Sequence, residues 1–420
     1  MFNPLPIVLA DLRTARAGAI AVVLLIAIAV ALGVAVSAQE RALRVGSGQA
    51  ADAFDILIGA PGSETQLVLS TVYLQPTALD LIDGRILQEL DDNPEVAFAS
   101  PLGFGDNYQG YQVVGVTPEF VDHATGDNGI EGATFSRIDH AIVGANVPIG
   151  IGDSFTPVHG HASVDPEADA HEGSAYHIVG RMPKLGNPWD RAILVPIEAV
   201  WWVHGLPVGH VLDEAALYPD GPAGAPDLSA IPIGPPFDAA QLTGVPAITV
   251  TPSSFAAAYT LRQEFRSRDD TMAVFPAEVL IKLYDLLGDV RDLVAIMSVL
   301  TQALVIGAIL LAVLASLAQR RRLIGVLRAL GASRGFVFAT VWLNVVLMLT
   351  VGALLGLALG VAGAYGLSAV FEQQTGVSLP VTIAWQEVRL VLAIVVIGLV
   401  LATIPAALTY RGSVSAALRA

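Results

Sequence analysis

Four stretches of this chain, residues 17–39, 293–318, 335–371 and 390–410, carry no charged side chain. Each is long enough to cross a bilayer, which takes about 20 apolar residues in a helix. Hydrocarbon offers the backbone no hydrogen-bond partner, so a spanning segment must satisfy its own peptide groups, and an apolar run of this length does so as a helix. Composition agrees: 54% hydrophobic and 14% charged residues, with a mean hydropathy of +0.63, are too apolar for an ordinary soluble enzyme. The expected fold class is an α-helical membrane protein with four transmembrane helices.

Most of the charge lies between the first two stretches. Residues 39–290 hold 11 Lys and Arg against 34 Asp and Glu, a balance of −23, while the remainder holds 11 against 4, or +7. Basic loops stay in the cytoplasm. The acidic part is therefore expected to be extracytoplasmic, with Arg13, Arg16, Arg411 and Arg419 inside. Val36, Ser37 and Ala38 have the small side chains of a signal-cleavage site, but the apolar core exceeds the usual length of about 7–15 residues, so the first span is read as uncleaved. An acidic ectodomain argues against nucleic acid as a partner, since phosphate binding needs basic clusters. The absence of cysteine excludes disulfides, thiolate metal sites and thiol nucleophiles.

The expected organisation is a cytoplasmic segment (1–16), a first span and stalk (17–45), a large α+β extracytoplasmic domain inserted between the first and second spans (46–275), a second stalk and span (276–318), a cytoplasmic helix (319–335), and the third and fourth spans with a cytoplasmic tail (336–420). Gly46, Ser47 and Gly48 are expected to stop the first helix. As one helix, residues 276–318 would reach about 65 Å, twice the hydrocarbon thickness. In the domain, strands are expected at 53–59, 66–74, 96–100, 111–116, 140–143, 176–181 and 192–195, and helices at 76–90 and from 254 to about 268. Residues 206–246, rich in Pro and Gly, read as a surface excursion that buries little core. The third span is placed at 336–360, with a bend near Gly363 and Gly366, and the fourth at 390–410.

Between the second and third spans stands QRRRLIGVLRALGASRG, residues 319–335, with five arginines and no acid in a chain of net charge −16. At helical spacing Leu323, Leu327 and Leu330 share a stripe opposite Arg321 and Arg328, so this is a short amphipathic basic helix ending near Gly331. In the third span Gly352, Gly356 and Gly360 recur every four residues and let another helix approach closely, either within the subunit or in a second copy.

The run RRRLIGVLRALGAS (320–333), followed by that glycine-bearing span, resembles the segment between the second and third spans of MacB/FtsX-type ABC transporter permeases, where RRREIGVLRALGAS is usual. Leu323 stands where the family has Glu. YQVVGVTPEF (111–120), HAIVGANV (140–147), IGDSFTP (151–157) and YHIVGRM (176–182) are similar, in order, to pieces of the MacB-type extracytoplasmic domain. The resemblance implies that Arg320, Arg321, Arg322, Leu327, Arg328, Leu330, Gly331 and Ala332 meet a separate ABC-type ATPase subunit. ATP and Mg would be bound there, with no cofactor in this chain. It further implies a second permease copy, in a homodimer or heterodimer, a periplasmic adaptor or outer-membrane protein as partner, and a multi-pass place in the bacterial cytoplasmic (inner) membrane. ATP-driven closure would move the stalks to export or extract a substrate. The alternative is an FtsX-like signalling subunit that activates an extracytoplasmic partner.

No motif gives this chain chemistry of its own: nothing fits GxxxxGK[ST], GxSxG or HExxH, and Lys184 and Lys282 are its only lysines. One cluster bears on metals. His159, His161, His171 and His177 lie among Asp165, Glu167, Asp169 and Glu172, a donor set suited to a divalent ion. The ordinary reading of the same pattern is a hydrated acidic loop with incidental histidines. Trp189, Trp201 and Trp202 read as packing. The charge partition predicts that reporter fusions after Arg44, Asp220 and Gln374 read extracytoplasmic and those after Arg328 and Ala420 cytoplasmic; a cytoplasmic signal at Asp220 overturns the architecture.

Overall fold

The structure is a computed structural model that describes residues 3–159, 175–221, 224–286, 296–297, 299–300, 303, 307 and 331–411. It divides into two compact units. One comprises Met1–Arg44, Leu287–Val370 and Leu379–Ala420, and the other Val45–Leu286 with Phe371–Ser378. A short helix α1 (Leu5–Thr14) leads into the long α2 (Arg16–Ala51).

The second unit is a mixed α+β domain around one sheet. Its strands are β1 (Ile56–Gly59), β2 (Val96–Tyr108), β3 (Tyr111–Val116), β4 (Glu131–Gly132), β5 (His140–Val143), β6 (Ser154–Phe155), β7 (Val158–His159), β8 (Tyr176–Arg181), β9 (Ile193–Pro196), β10 (Ala247–Pro252) and β11 (Met272–Val274). Its helices are α3 (Glu64–Thr71), α4 (Arg85–Asp91), α5 (Pro118–Thr125), α6 (Ile197–Val203), α7 (Glu214–Leu217), α8 (Phe255–Arg266) and α9 (Pro276–Leu286). The strand order is β11-β1-β10-β2-β3-β9-β5-β8-β4, with β6 on β8 and β7 on β2; β3 with β9 and β5 with β8 are the parallel pairs.

Both faces of this sheet are buried, which is why strands such as ILIG and ILVP are apolar throughout. Alternate residues go to opposite sides: Ile56, Ile58, Ile193 and Val195 join one cluster, and Leu57 and Leu194 the other. The first face is covered by Ile86, Leu87 and Leu90 of α4, Leu261 and Phe265 of α8, and Trp201 of α6. The second is covered by the end of α2, by α3, α5 and α9, and by Trp189, whose ring lies 4.9 Å from Phe120 and 5.6 Å from Phe54.

Several local expectations give way to tertiary contacts. Residues 66–74 are not a strand: Ser63 Oγ accepts from the Gln66 N–H and Glu64 sits in the first turn, so α3 forms instead. The helix expected at 76–90 is confined to α4, because Ile82 is held in an extended pairing with Val245 by two backbone hydrogen bonds. The strand expected at 96–100 extends to Tyr108 because β2 pairs first with β10 and then with β3. Gly46 and Gly48 do not stop α2, which runs on to Ala51; Tyr73 Oη donates to Ser47 O at 2.9 Å and the last two alanines are buried. The 206–246 stretch, of which all but 222–223 is described, is mostly exposed or half-buried but is anchored at a few points. It buries Val208, Leu217 and Ile231, each worth about 1.5–3 kcal/mol, and the Gly234 N–H donates to the buried Glu198 at 2.7 Å.

In the first unit, α10 (Arg334–Thr375) and α11 (Trp385–Arg411) join α2. Among the described residues three helices are long and apolar enough to cross a membrane: α2, α10 and residues Trp385–Thr403 of α11. Their shared core is Ile26, Val30, Val34, Leu349, Ala353, Val391 and Ile394. The bend expected near Gly363 and Gly366 is absent, and α10 is unbroken. Nearly all of the run at 293–318 lies outside the described residues.

The seat of α6 on the sheet depends on two glycines. A Cβ at Gly115 would lie 2.6 Å from Val200 Cγ2 and 3.2 Å from Ile197 Cα, and one at Gly103 would lie 2.7 Å from Ile197 Cδ1. Gly115→Ala should therefore lower stability by about 1–3 kcal/mol, and Val200→Ala in the same chain should restore part of it. Urea unfolding of the detergent-solubilised chain, followed by tryptophan fluorescence, checks both.

Candidate functional site

Candidate functional residues fall in two places, one in each unit. In the helical unit, the stripe on α10 lies directly on α2. A Cβ at Gly352 would lie 2.7 Å from Ile26 Cβ, one at Gly356 2.6 Å from Ala27 O, and one at Gly360 2.7 Å from Ala31 O. All three glycines thus allow backbone contact, and nothing larger fits without moving a helix.

Beside this contact stands a buried ion pair that the sequence reading missed. Glu387, at the third position of α11, accepts from the Ala384 N–H at 2.8 Å, closing the helix start as the Glu of a capping box does. Its other oxygen accepts from Ser37 Oγ at 2.9 Å and from the Arg41 guanidinium, both on α2, while Arg41 also donates to Thr382 O. The Glu387 side chain is 1% exposed and that of Arg41 13%. One signal for it was in the sequence: a lone acid at the edge of an apolar run needs a cation, and Arg41 and Arg44 flank the other such run.

Of the residues expected to meet an ATPase, Arg320, Arg321, Arg322, Leu327, Arg328 and Leu330 lie outside the described residues. Gly331 is described, at φ +94°, in a turn that only glycine takes readily. Ala332 follows it, and Ser333 caps α10 by accepting from the Phe336 N–H at 3.2 Å.

In the α+β unit, Phe371–Ser378 docks on residues 184–191. Lys184 pairs with Glu372, Arg191 donates to Gln373 O at 2.7 Å, and the Ser378 N–H donates to Gly186 O at 2.9 Å. The turn holding these groups is braced by the buried Asp190, which accepts from the Leu185 and Gly186 N–H groups at 2.7 and 2.8 Å; burial pushes its carboxyl pKa up against those bonds. Beside this dock lies a cleft of about 880 Å³, lined by neutral polar groups including Gln66, Tyr73, Gln112 and Gln374, with Arg191 as its charge.

The expected histidine cluster is divided. His161 and His171 lie outside the described residues. His177, on β8, bonds Ser154 at 2.7 Å and neighbours His140, whose pKa burial pushes down. His159, on β7, keeps different company: its Nδ1 is 3.2 Å from Asp106 Oδ1 and 3.4 Å from His204 Nε2. No spacing rule could have joined these three, since strand pairing and the seat of α6 bring them together.

Residues 295–415 match the FtsX-like permease C-terminal family. The C-terminal part of this chain is similar to FtsX-like permeases. The resemblance read from residues 320–333 and the span after them is borne out at that level. Among solved structures, the chain is similar to the periplasmic region of MacB from Actinobacillus actinomycetemcomitans, at 9% identity and a TM-score of 0.32 over 56% of this chain and 95% of that one. It is also similar to the extracellular domain of the noncanonic ABC-type transporter YknZ from Gram-positive bacteria, at 11% identity and a TM-score of 0.28 over 52% and 98%. No curated protein matches the chain.

In the helical unit, the Arg41–Glu387 pair gives a direct test. Glu387→Ala leaves Arg41 without its carboxylate and should lower stability by about 3–5 kcal/mol, whereas replacing both residues by Leu should cost less. Thermal unfolding of the purified chain distinguishes these from a pair of no consequence, for which both variants would unfold like the parent.

Proposed function

We propose that this chain is the membrane subunit of an ABC complex in which a separate ATPase binds at Arg320 to Ala332 and drives the extracytoplasmic domain, for export or extraction of a substrate. The match of residues 295–415 to the FtsX-like permease C-terminal family carries the reading, since it takes in the basic segment and the spans after it. The chain sits in the cytoplasmic membrane with four spans, the run at 293–318 being the second, and the domain at 46–275 lies between the first two. Two features support this topology. The acidic balance is confined to 39–290, and Phe371–Ser378, past the third span, belongs to the same compact unit as Val45–Leu286. The complex holds two permease copies or a pair of related permeases. ATP hydrolysis belongs to the partner, this chain having no phosphate-binding loop.

Affinity purification of the tagged full chain from its own membranes should bring down an ABC ATPase. Reversing Arg321 and Arg328 to Glu should cut its recovery about tenfold or more while the reporter pattern of the spans stays unchanged. Undiminished recovery in the double reversal would refute docking at this segment, and co-purification of an extracytoplasmic hydrolase would favour the signalling alternative.

A further inference from the structure

We propose that Asp106, His159 and His204 form an extracytoplasmic binding site for a divalent first-row transition ion, with zinc the ion that suits it best. The proposal is independent of the transport reading. Asp106 Oδ1, His159 Nδ1 and His204 Nε2 all lie within 4.8 Å of one another. Two edges of this triangle are 3.2 Å, from carboxylate to imidazole, and 3.4 Å, from imidazole to imidazole. An ion bound at about 2.0–2.1 Å in tetrahedral geometry sets its ligands about 3.3–3.4 Å apart, so these two edges are close to the length that coordination requires.

Three rigid elements hold the donors. Asp106 and His159 are direct partners across the antiparallel β2–β7 ladder, so their side chains leave the sheet side by side. His204 caps the C-terminus of α6, the helix seated on Gly103 and Gly115 of β2 and β3. Its Nδ1–H donates to Val200 O at 2.7 Å, which fixes the tautomer and turns the lone pair of Nε2 toward His159. A backbone carbonyl on the far nitrogen is the support that metal-binding imidazoles commonly have. Asp106 is 4% exposed and supplies a negative charge in a dry setting, while the His159 side chain is 58% exposed and lines a cleft of about 410 Å³ that gives an ion access. Two imidazoles and one carboxylate favour zinc, nickel or copper over calcium or magnesium, and three protein ligands leave a fourth position for water or an incoming group.

A hydrogen-bonded triad without metal would show the same distances, and the acidic run at 160–174 could bind zinc by itself, so the test must separate all three. The full chain, purified in detergent and stripped with a chelator, is titrated with zinc chloride by calorimetry at neutral pH. One site is expected, with affinity lowered about tenfold or more by His159→Ala and by His204→Ala, and unchanged by His177→Ala. At a hundredfold excess over Kd, zinc should raise the unfolding midpoint of the parent by about 5–10 °C and that of His204→Ala hardly at all. Should the alanine variants unfold before metal is added, cobalt(II) on the parent decides: a four-coordinate site gives intense visible bands, which Asp106→Asn shifts. The absence of zinc binding, zinc binding that persists in His204→Ala, or only the weak bands of hydrated cobalt each overturn the proposal.

Discussion

Inside a bilayer, helices gain nothing from burying apolar surface, because lipid is as apolar as they are; close backbone approach and buried polar contacts must hold them instead. The α2–α10 contact meets this constraint by leaving side chains out. At Gly352, Gly356 and Gly360 the two backbones come so near that a single added carbon would overlap Ala27 O, Ala31 O or the β-carbons of Ile26 and Val30. The Arg41–Glu387 pair then ties α11 to α2 by charge, with Ser37 and the start of α11 satisfying the remaining acceptor capacity of the carboxylate. α10 is held on α2 by close packing, whereas α11 adds a buried charge pair to the packing of Val391 and Ile394, which is why the two contacts have such different sequence signatures.

The α+β unit follows opposite rules. Water drives its burial, and a sheet covered on both faces needs helices on each side and strands with no polar face to spare. Glycine serves here as well, but for a helix on a sheet: Gly103 and Gly115 open the place into which Ile197 and Val200 of α6 fit. That fit puts the C-terminus of α6, and so His204, against β2 and β7. A packing requirement thus decides which imidazoles meet.

The helical part was largely legible from the sequence, because charge-free runs of spanning length admit one backbone solution in hydrocarbon. The small-residue stripe was legible too, as a period of four. In the domain, residues 111–116, 140–143 and 176–181 stand as the strands that their β-branched composition implied, whereas residues 66–74 and 76–90 were misread. Both misreadings have one cause: a cap at Ser63 and a pairing of Ile82 with a residue far along the chain outweighed weak local preference. Proline and glycine in 206–246 suggested little burial, yet Val208, Leu217 and Ile231 reach the core from a chain with almost no regular structure, since isolated side chains anchor it without any periodicity to read. Asp106 and His204 were invisible for the same reason; only His159 lay within the cluster that composition marked.

α10 is continuous from Arg334 to Thr375. At 1.5 Å per residue, a helix of 42 residues is about 63 Å long, roughly twice the hydrocarbon thickness. Its first turn is capped by Ser333, directly after Gly331 and Ala332, and its end passes through Gly376, whose position leaves no room for a side chain against Asn187 and Pro188. The glycines beside its two ends, Gly331 at φ +94° and Gly376 at φ +77°, take backbone angles that other residues adopt only under strain. At the Gly376 end, one ion pair and two backbone acceptors fix Phe371–Ser378 on residues 184–191, so the last turn of α10 belongs to the α+β unit and is held by that unit's own polar groups.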